Sequence, residues 1–284
     1  MEKKDKYEKY RPKKFLGQNF LCDDNIAKKI IKYLDVKKED VIIEIGAGYG
    51  ALTKHLVKTE KTRYIAVDID KKIIDILSEK YNQYTEKDII LICKDFLDFD
   101  LRKDISGFSI SHKNPIKIVG NIPYNITSEI LFKLFSWKDV TEKAVLMMQK
   151  EVSMRLTAKP NTKSYGILSV QTQINCIPGI LFNVPPEAFF PKPKVNSSVI
   201  ELDFRRNKFS EKTQKIPDYN ILTKIIRESF AKRRKTMRNS LKDFLNEYGI
   251  NTSEIDFDFS RRPESVSVDE FIKLAKDIIP RQKS

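Results

Sequence analysis

Histidine is nearly absent from this 284-residue chain, with only His55 and His112. That scarcity excludes a histidine-ligated zinc centre and a serine–histidine–aspartate triad as readings, so no metal site is expected. Cysteine is scarce too. Cys22, Cys93 and Cys176 stand far apart, without metal or redox spacing, and their odd count fits no disulfide framework. Reduced thiols are the expectation. No segment approaches the roughly 18 apolar residues of a membrane span. Met1 to Lys14 is charged throughout and lacks an apolar centre, so no secretory signal is expected. Acids are outnumbered, 39 against 53 lysines and arginines, for a net charge of +14. That surplus speaks of partners rather than fold and points to an anionic one, nucleic acid or an anionic membrane.

What is present is a regular alternation. Hydrophobic residues make up 40% of the chain, enough for a sizeable core, and the length suits one large domain with a small one. Asp23 or Asp24 caps a predicted helix to about Leu34, with Ile26, Ile30, Ile31 and Leu34 on one face. Val41–Ile45, Arg63–Val67, Ile89–Cys93, Ile116–Val119 and Ala144–Met148 read as strands, with helices predicted over 49–59, 70–81 and 125–136. Strands alternating with helices predict a parallel α/β sheet covered on both faces. Ser169–Cys176 and Ser197–Phe204 also read as strands, joined by the proline-rich stretch 178–193. Beyond Phe204 a charged linker leads into helices. The expected division is a domain over 1–206 and a helical one over 207–284.

The first strand runs into Glu44-Ile-Gly46-Ala-Gly48-Tyr-Gly50. Glycines after a strand let the chain turn sharply and approach a ligand closely. The spacing is neither that of a dinucleotide fold nor that of a phosphate loop, because no Gly-Lys-Ser/Thr follows. Asp68 ends the second strand, where an acid can accept from both ribose hydroxyls. Asp95 follows the third, where one can accept from an adenine amino group. Ligands bind at this edge of open α/β sheets. Together these features suit S-adenosylmethionine, which carries no phosphate.

The fourth strand runs into Asn121-Ile-Pro-Tyr124. An adenine amino group is a poor nucleophile, because its lone pair is delocalised into the ring. Two acceptors aimed at its hydrogens, the Asn121 side-chain oxygen and the Ile122 carbonyl, favour a pyramidal nitrogen facing the methyl group. Pro123 fixes the turn, and Tyr124 offers a ring for stacking, worth roughly 1–3 kcal/mol per base. The sulfonium already activates the methyl, so orientation supplies much of the catalysis and no strong base is needed.

With these motifs in view, the chain resembles the ribosomal RNA small subunit methyltransferase A family over nearly its whole length. The resemblance rests also on Phe15-Leu-Gly-Gln-Asn-Phe-Leu21, Gln149–Arg155, Tyr165–Ser169, Val184–Pro191 and Pro193–Ser198. It implies a class I methyltransferase with a Rossmann-like sheet and a small C-terminal helical domain. It implies that Asn19, Leu21, Gly46, Gly48, Asp68, Asp95 and Asn121 hold S-adenosylmethionine, with Asn121 and Tyr124 catalytic. Phe189 and Phe190 then help hold the flipped base. The implied reaction is N6,N6-dimethylation of two adjacent adenines in a 3′-terminal hairpin loop of 16S rRNA, as a late step of 30S subunit biogenesis. A cytoplasmic monomer acting on a pre-30S particle is expected. Ile122 stands where the family more commonly has leucine, a position at which only the backbone acts.

Residues 223–248 read as one amphipathic helix with Ile226, Phe230, Met237, Leu241 and Leu245 on the buried stripe. Lys232, Arg233, Arg234, Lys235 and Arg238 put five cations into seven residues, a candidate contact for RNA phosphates. The segments 232–241 and 262–268 match the small-subunit family. They argue against the related large-subunit adenine methyltransferases of macrolide resistance. DNA adenine methyltransferases usually carry Asp-Pro-Pro-Tyr in place of Asn121–Tyr124. A non-catalytic rRNA-binding assembly factor would not need an intact glycine loop, two acids and the Asn-Ile-Pro-Tyr motif together.

Overall fold

The computed structural model describes residues 17–59, 62–84, 89–207, 209, 212–213, 218–232 and 234–278. The chain forms two compact units. One holds the described residues through Ser153 with Gly179–Arg205. The other holds Met154–Pro178 and the described residues from Arg206 onward. The second unit thus takes in 154–178, a segment that the division expected at 206 assigns to the first domain.

Nine strands occur. These are β1 (Phe20–Leu21), β2 (Val41–Ile45), β3 (Arg63–Asp68), β4 (Ile89–Cys93), β5 (Ile116–Asn121), β6 (Thr141–Gln149), β7 (Ile177–Val184), β8 (Phe189–Phe190) and β9 (Ser197–Asp203). Seven make one sheet in the order β4-β3-β2-β5-β6-β9-β7. The first five run parallel, and β9 joins β6 antiparallel. All five residues of β2 are buried, as befits a central strand covered on both faces. One face presents Ile42, Tyr64, Ala66, Val119, Val145, Met147 and Val199 to a core shared with Ala27, Ile30 and Leu34 of helix Asp24–Leu34. Asp23 caps that helix by accepting from the backbone N–H of Asn25 and Ile26. Asp70 caps helix Lys71–Lys80, which buries Ile73 and Leu77.

Four expectations need correction. The helix expected over 49–59 is only Thr53–Leu56, because the chain is still turning through Leu52, with the Gly50 N–H bonded to the Ala47 carbonyl at 3.0 Å. Ser169–Cys176 is not a strand but lies on helix Ile167–Asn175. Val170, Thr172, Ile174 and Cys176 alternate in the sequence and mimic a strand. Burial nearly all round that helix leaves no amphipathic stripe to reveal it. The proline-rich stretch holds all but the first residue of β7, whose Pro178 is tolerated because β7 is the edge strand.

The fourth correction concerns the basic segment. The single helix expected over 223–248 is three: Tyr219–Ala231, Met237–Ser240 and Lys242–Glu247. Arg234 adopts a left-handed φ of 73°, and Thr236 caps the new start by accepting from the Asn239 N–H. The expected apolar stripe survives the break. Ile226, Met237, Leu241 and Leu245 are buried and Phe230 is partly buried, packed with Val170, Ile174 and Phe271 in the core of the second unit. The turn of helix 167–175 into this core is the reason why 154–178 belongs to the second unit.

Candidate active site

The C-terminal ends of β2, β3, β4 and β5 open into one cavity. Its walls include Gly17, Gln18, Asn19, Gly46, Gly48, Asp68, Asp95, Asn121, Pro123 and Tyr124. Six of the seven residues expected to hold the cofactor therefore meet at one place, together with both expected catalytic residues. The seventh, Leu21, is buried in the core and lines a small adjoining recess with Glu44, Tyr49 and Leu52.

The glycine turn and Asp68 are built as one piece. The Gly46 N–H donates to the Val67 carbonyl at 2.8 Å. One carboxylate oxygen of Asp68 accepts from the Gly48 N–H at 3.0 Å and the other from the Asp70 N–H at 2.9 Å. A carboxylate only accepts, at about four lone-pair sites, and so suits hydroxyl donors. Gly48 has a positive φ of 51°, and a Cβ there would lie 3.0 Å from the Phe20 ring. A side chain on the loop would therefore press on the ring of the N-terminal segment. Asp95 is half-buried and accepts from the Leu97 N–H at 2.8 Å through one oxygen. Lys133 secures the same loop by donating to the Leu97 carbonyl at 2.7 Å. Lys94 on the cavity wall is paired with Asp104 at 2.7 Å.

Asn121 is the last residue of β5. Its Nδ2 donates to the Asn19 carbonyl at 2.6 Å. That bond fixes the amide orientation and leaves Oδ1 as the acceptor. The Ile122 side chain is buried and its N–H bonds the Met147 carbonyl at 3.1 Å, so the turn leaves β5 in a set direction. Pro123 has φ −59°, and the Thr127 hydroxyl donates to its carbonyl at 3.0 Å. The Tyr124 ring is half-buried, and its hydroxyl shares a 2.6 Å hydrogen bond with Ser197. Burial pushes the Tyr124 phenol above its ordinary pKa, against the pull of the Ser197 bond. Ser197 went unrecognised in the sequence as a partner for Tyr124, although it belongs to the 193–198 motif.

The N-terminal segment is clamped beside the site. β1 pairs antiparallel with β8, Phe20 facing Phe190 and Leu21 facing Phe189. The Cys22 N–H adds a bond to the Ala188 carbonyl at 2.7 Å. Phe189 is buried in the core and Phe190 is half-buried. In the second unit Lys232, Arg234, Lys235 and Arg238 are exposed in and just after the break between helices, and Lys232 meets Asp243 at 3.3 Å. Arg233 lies outside the described residues.

The donor set fits a ligand with vicinal hydroxyls and an amino-bearing ring. Carboxylates stand at the ends of two adjacent strands, glycine backbone lies beside the Asp68 carboxylate, and Ile69 and Phe96 offer apolar surface.

Comparison with known proteins agrees. A family model described as ribosomal RNA adenine dimethylase matches residues 10–278. A ribosomal RNA small subunit methyltransferase A of Francisella tularensis subsp. novicida (strain U112) is 41% identical over 267 residues. That alignment covers 94% of this chain and 97% of the relative. The protein of the same name from Francisella tularensis subsp. tularensis (strain WY96-3418) is 40% identical over the same shares. Among solved structures, a dimethyladenosine transferase from Plasmodium falciparum superposes with TM-score 0.72. It has 23% identity and covers 92% of this chain and 98% of that one. The 23S rRNA methyltransferase ErmE gives TM-score 0.61 at 21% identity, covering 92% and 100%. These two likenesses show the fold, that of a class I methyltransferase. On the family match and the Francisella identities, the chain belongs to the ribosomal RNA adenine dimethylase family.

Proposed function

We propose that this protein dimethylates N6 of two adjacent adenines in a 3′-terminal hairpin loop of small-subunit rRNA, acting as a cytoplasmic monomer on a pre-30S particle late in its biogenesis. The observation that carries this reading is the Asn121 amide, locked by the Asn19 carbonyl so that an acceptor stands at the end of β5 beside the glycine turn. S-adenosylmethionine is the methyl donor and supplies a methyl group already activated on a sulfonium. This chain's residues bind and orient. Asp68 takes the ribose hydroxyls and Asp95 the adenine amino group of the donor. Asn19, Gly46 and Gly48 present backbone, and Leu21 supports the wall from the core.

Asn121 Oδ1 and the Ile122 carbonyl accept from the two hydrogens of the target amino group. The arrangement favours a pyramidal nitrogen, so the interaction strengthens as the transition state forms. Tyr124 stacks on the base, its ring angle fixed by Ser197. Phe190 flanks the base on the clamped strand, and Phe189 anchors that strand in the core. Lys232, Arg233, Arg234, Lys235 and Arg238 contact rRNA phosphates. No described helix is long and apolar enough to cross a membrane.

The test compares methyl transfer to naked small-subunit rRNA, immature particles and mature subunits, all undermethylated. Preference for immature particles supports the reading. Equal or better transfer to naked rRNA overturns the particle as substrate.

A further inference from the structure

Beneath the glycine turn lies a buried polar cluster that the chemistry above does not use. Glu44 on β2, Tyr64 on β3 and Thr53 at the start of helix Thr53–Leu56 have side chains that are 1%, 1% and 0% exposed. They bracket the turn. Glu44 stands two residues before Gly46, Tyr64 lies on the neighbouring strand, and Thr53 opens the helix that follows. Thr53 Oγ1 is 2.9 Å from Glu44 Oε2 and 3.0 Å from Tyr64 Oη, and Tyr64 Oη is hydrogen-bonded to the same Glu44 oxygen.

Three oxygens in three mutual contacts need three protons. The tyrosine and threonine hydroxyls bring one each. With Glu44 ionised, both donate to the carboxylate, and the Tyr64–Thr53 contact is left lone pair against lone pair. With Glu44 protonated, the carboxyl donates to Tyr64, Tyr64 to Thr53 and Thr53 back to Glu44, one proton for each contact.

We propose that Glu44 works as a neutral carboxylic acid that closes a hydrogen-bonded ring with Tyr64 and Thr53, and that this ring holds the glycine turn in its cofactor-binding form. The proposal rests on the reading of that turn as the cofactor site. Burial favours the neutral acid and outweighs the Tyr64 and Thr53 hydrogen bonds, which favour the ionised one. The Asp68 carboxylate at the end of β3 opposes a second negative charge nearby. The Tyr81 hydroxyl, beyond helix Lys71–Lys80, lies 3.4 Å from where a Gly50 Cβ would stand. It is buried without a hydrogen-bond partner among the described residues, so it does not stabilise a carboxylate. Burial itself pushes the Glu44 acid up to about 7. Glu44 is therefore a positioning residue, since it touches the turn's supports and not the reacting atoms.

The consequence is a cofactor site that loosens in alkali. Affinity is flat in acid and falls by up to about tenfold per pH unit once Glu44 ionises, if only the protonated form binds. Calorimetric titration with S-adenosylhomocysteine between about pH 6 and about pH 9 reads this directly in the wild type, Glu44→Gln and Asp68→Ala. The expected result is a falling wild-type affinity and a shallower profile in Glu44→Gln, whose amide stays neutral throughout. The difference between those two profiles cancels the titration of the ligand itself.

Parallel profiles, with Asp68→Ala weakened, overturn the Glu44 proposal and leave the cofactor site standing. Unchanged affinity in Asp68→Ala overturns the site reading and the proposal with it. Infrared spectroscopy of the wild type guards against a misfolded Glu44→Gln. At about pH 6 ordinary carboxyl groups are ionised, so a protonated-carboxyl band that titrates away with the affinity supports the ring. Absence of that band refutes it.

Discussion

Replacing Asn121 by alanine removes two separable interactions. The Nδ2 bond to the Asn19 carbonyl, 2.6 Å long, orders the N-terminal segment on the cavity wall before any chemistry occurs. A neutral hydrogen bond of this kind is worth about 1 kcal/mol net, or roughly fivefold in cofactor affinity. The Oδ1 acceptor serves the target amino group most strongly at the transition state. Loss of one preorganised partner there costs about 2.7–4 kcal/mol, a rate loss of about a hundredfold or more. Asn121→Ala is therefore predicted to weaken cofactor binding slightly and to slow the chemical step severely. Asn121→Asp separates the two effects. It keeps an acceptor, so its chemical step should exceed that of the alanine variant. It also turns lone pairs toward the Asn19 carbonyl, so its cofactor affinity should fall further. Calorimetry and single-turnover methylation read the two quantities independently. A near-wild-type single-turnover rate for Asn121→Ala would refute the assignment of Asn121 to the target amino group.

Tyr124→Phe loses only the 2.6 Å bond to Ser197 and keeps the ring, so single-turnover transfer should drop by less than about tenfold; a dead variant would mean that the hydroxyl itself takes part. Because the Glu44 acid is raised from 4.5 to about 7, the native state binds more protons than the unfolded chain across that window. Its stability contribution is complete below about pH 4.5, is lost as pH rises through about 7, and amounts to at most about 3 kcal/mol. Urea unfolding of wild type and Glu44→Gln across this range should show the decline in the wild type alone, and parallel curves would contradict it. Neutralising Lys232, Lys235 and Arg238 should reduce the salt slope of rRNA binding by roughly 0.7–0.9 per lost phosphate contact without changing cofactor affinity. An unaltered slope would make these side chains a solvated face.

The parallel strands were legible because they are short runs rich in apolar residues. Val41–Ile45, Arg63–Asp68 and Ile116–Asn121 are buried strands whose C-terminal ends carry Gly46, Asp68 and Asn121 to one cavity. Motif residues next to such strands are placed by the fold itself. What the sequence hid depends on burial from every side or on contacts between distant segments. Helix Ile167–Asn175 is buried nearly all round, so its alternating Val170, Thr172 and Ile174 imitate a strand. The break at 232–236 hinges on the left-handed Arg234 and the Thr236 cap, inside an apolar periodicity that continues across it. The pairing of Phe20–Leu21 with Phe189–Phe190 joins residues some 170 apart, and no local pattern signals it. The Glu44–Tyr64–Thr53 ring was equally hidden, because each member alone reads as an ordinary strand or helix residue.

The most direct test of the central claim offers labelled S-adenosylmethionine to undermethylated small subunits, large subunits and DNA side by side, followed by digestion and identification of the labelled base. The account predicts N6,N6-dimethyladenosine at two adjacent adenines near the 3′ end of small-subunit rRNA, formed at least about a hundredfold more slowly by Asn121→Ala. Label confined to large-subunit rRNA or DNA, or an adenine that never gains its second methyl group, would contradict it.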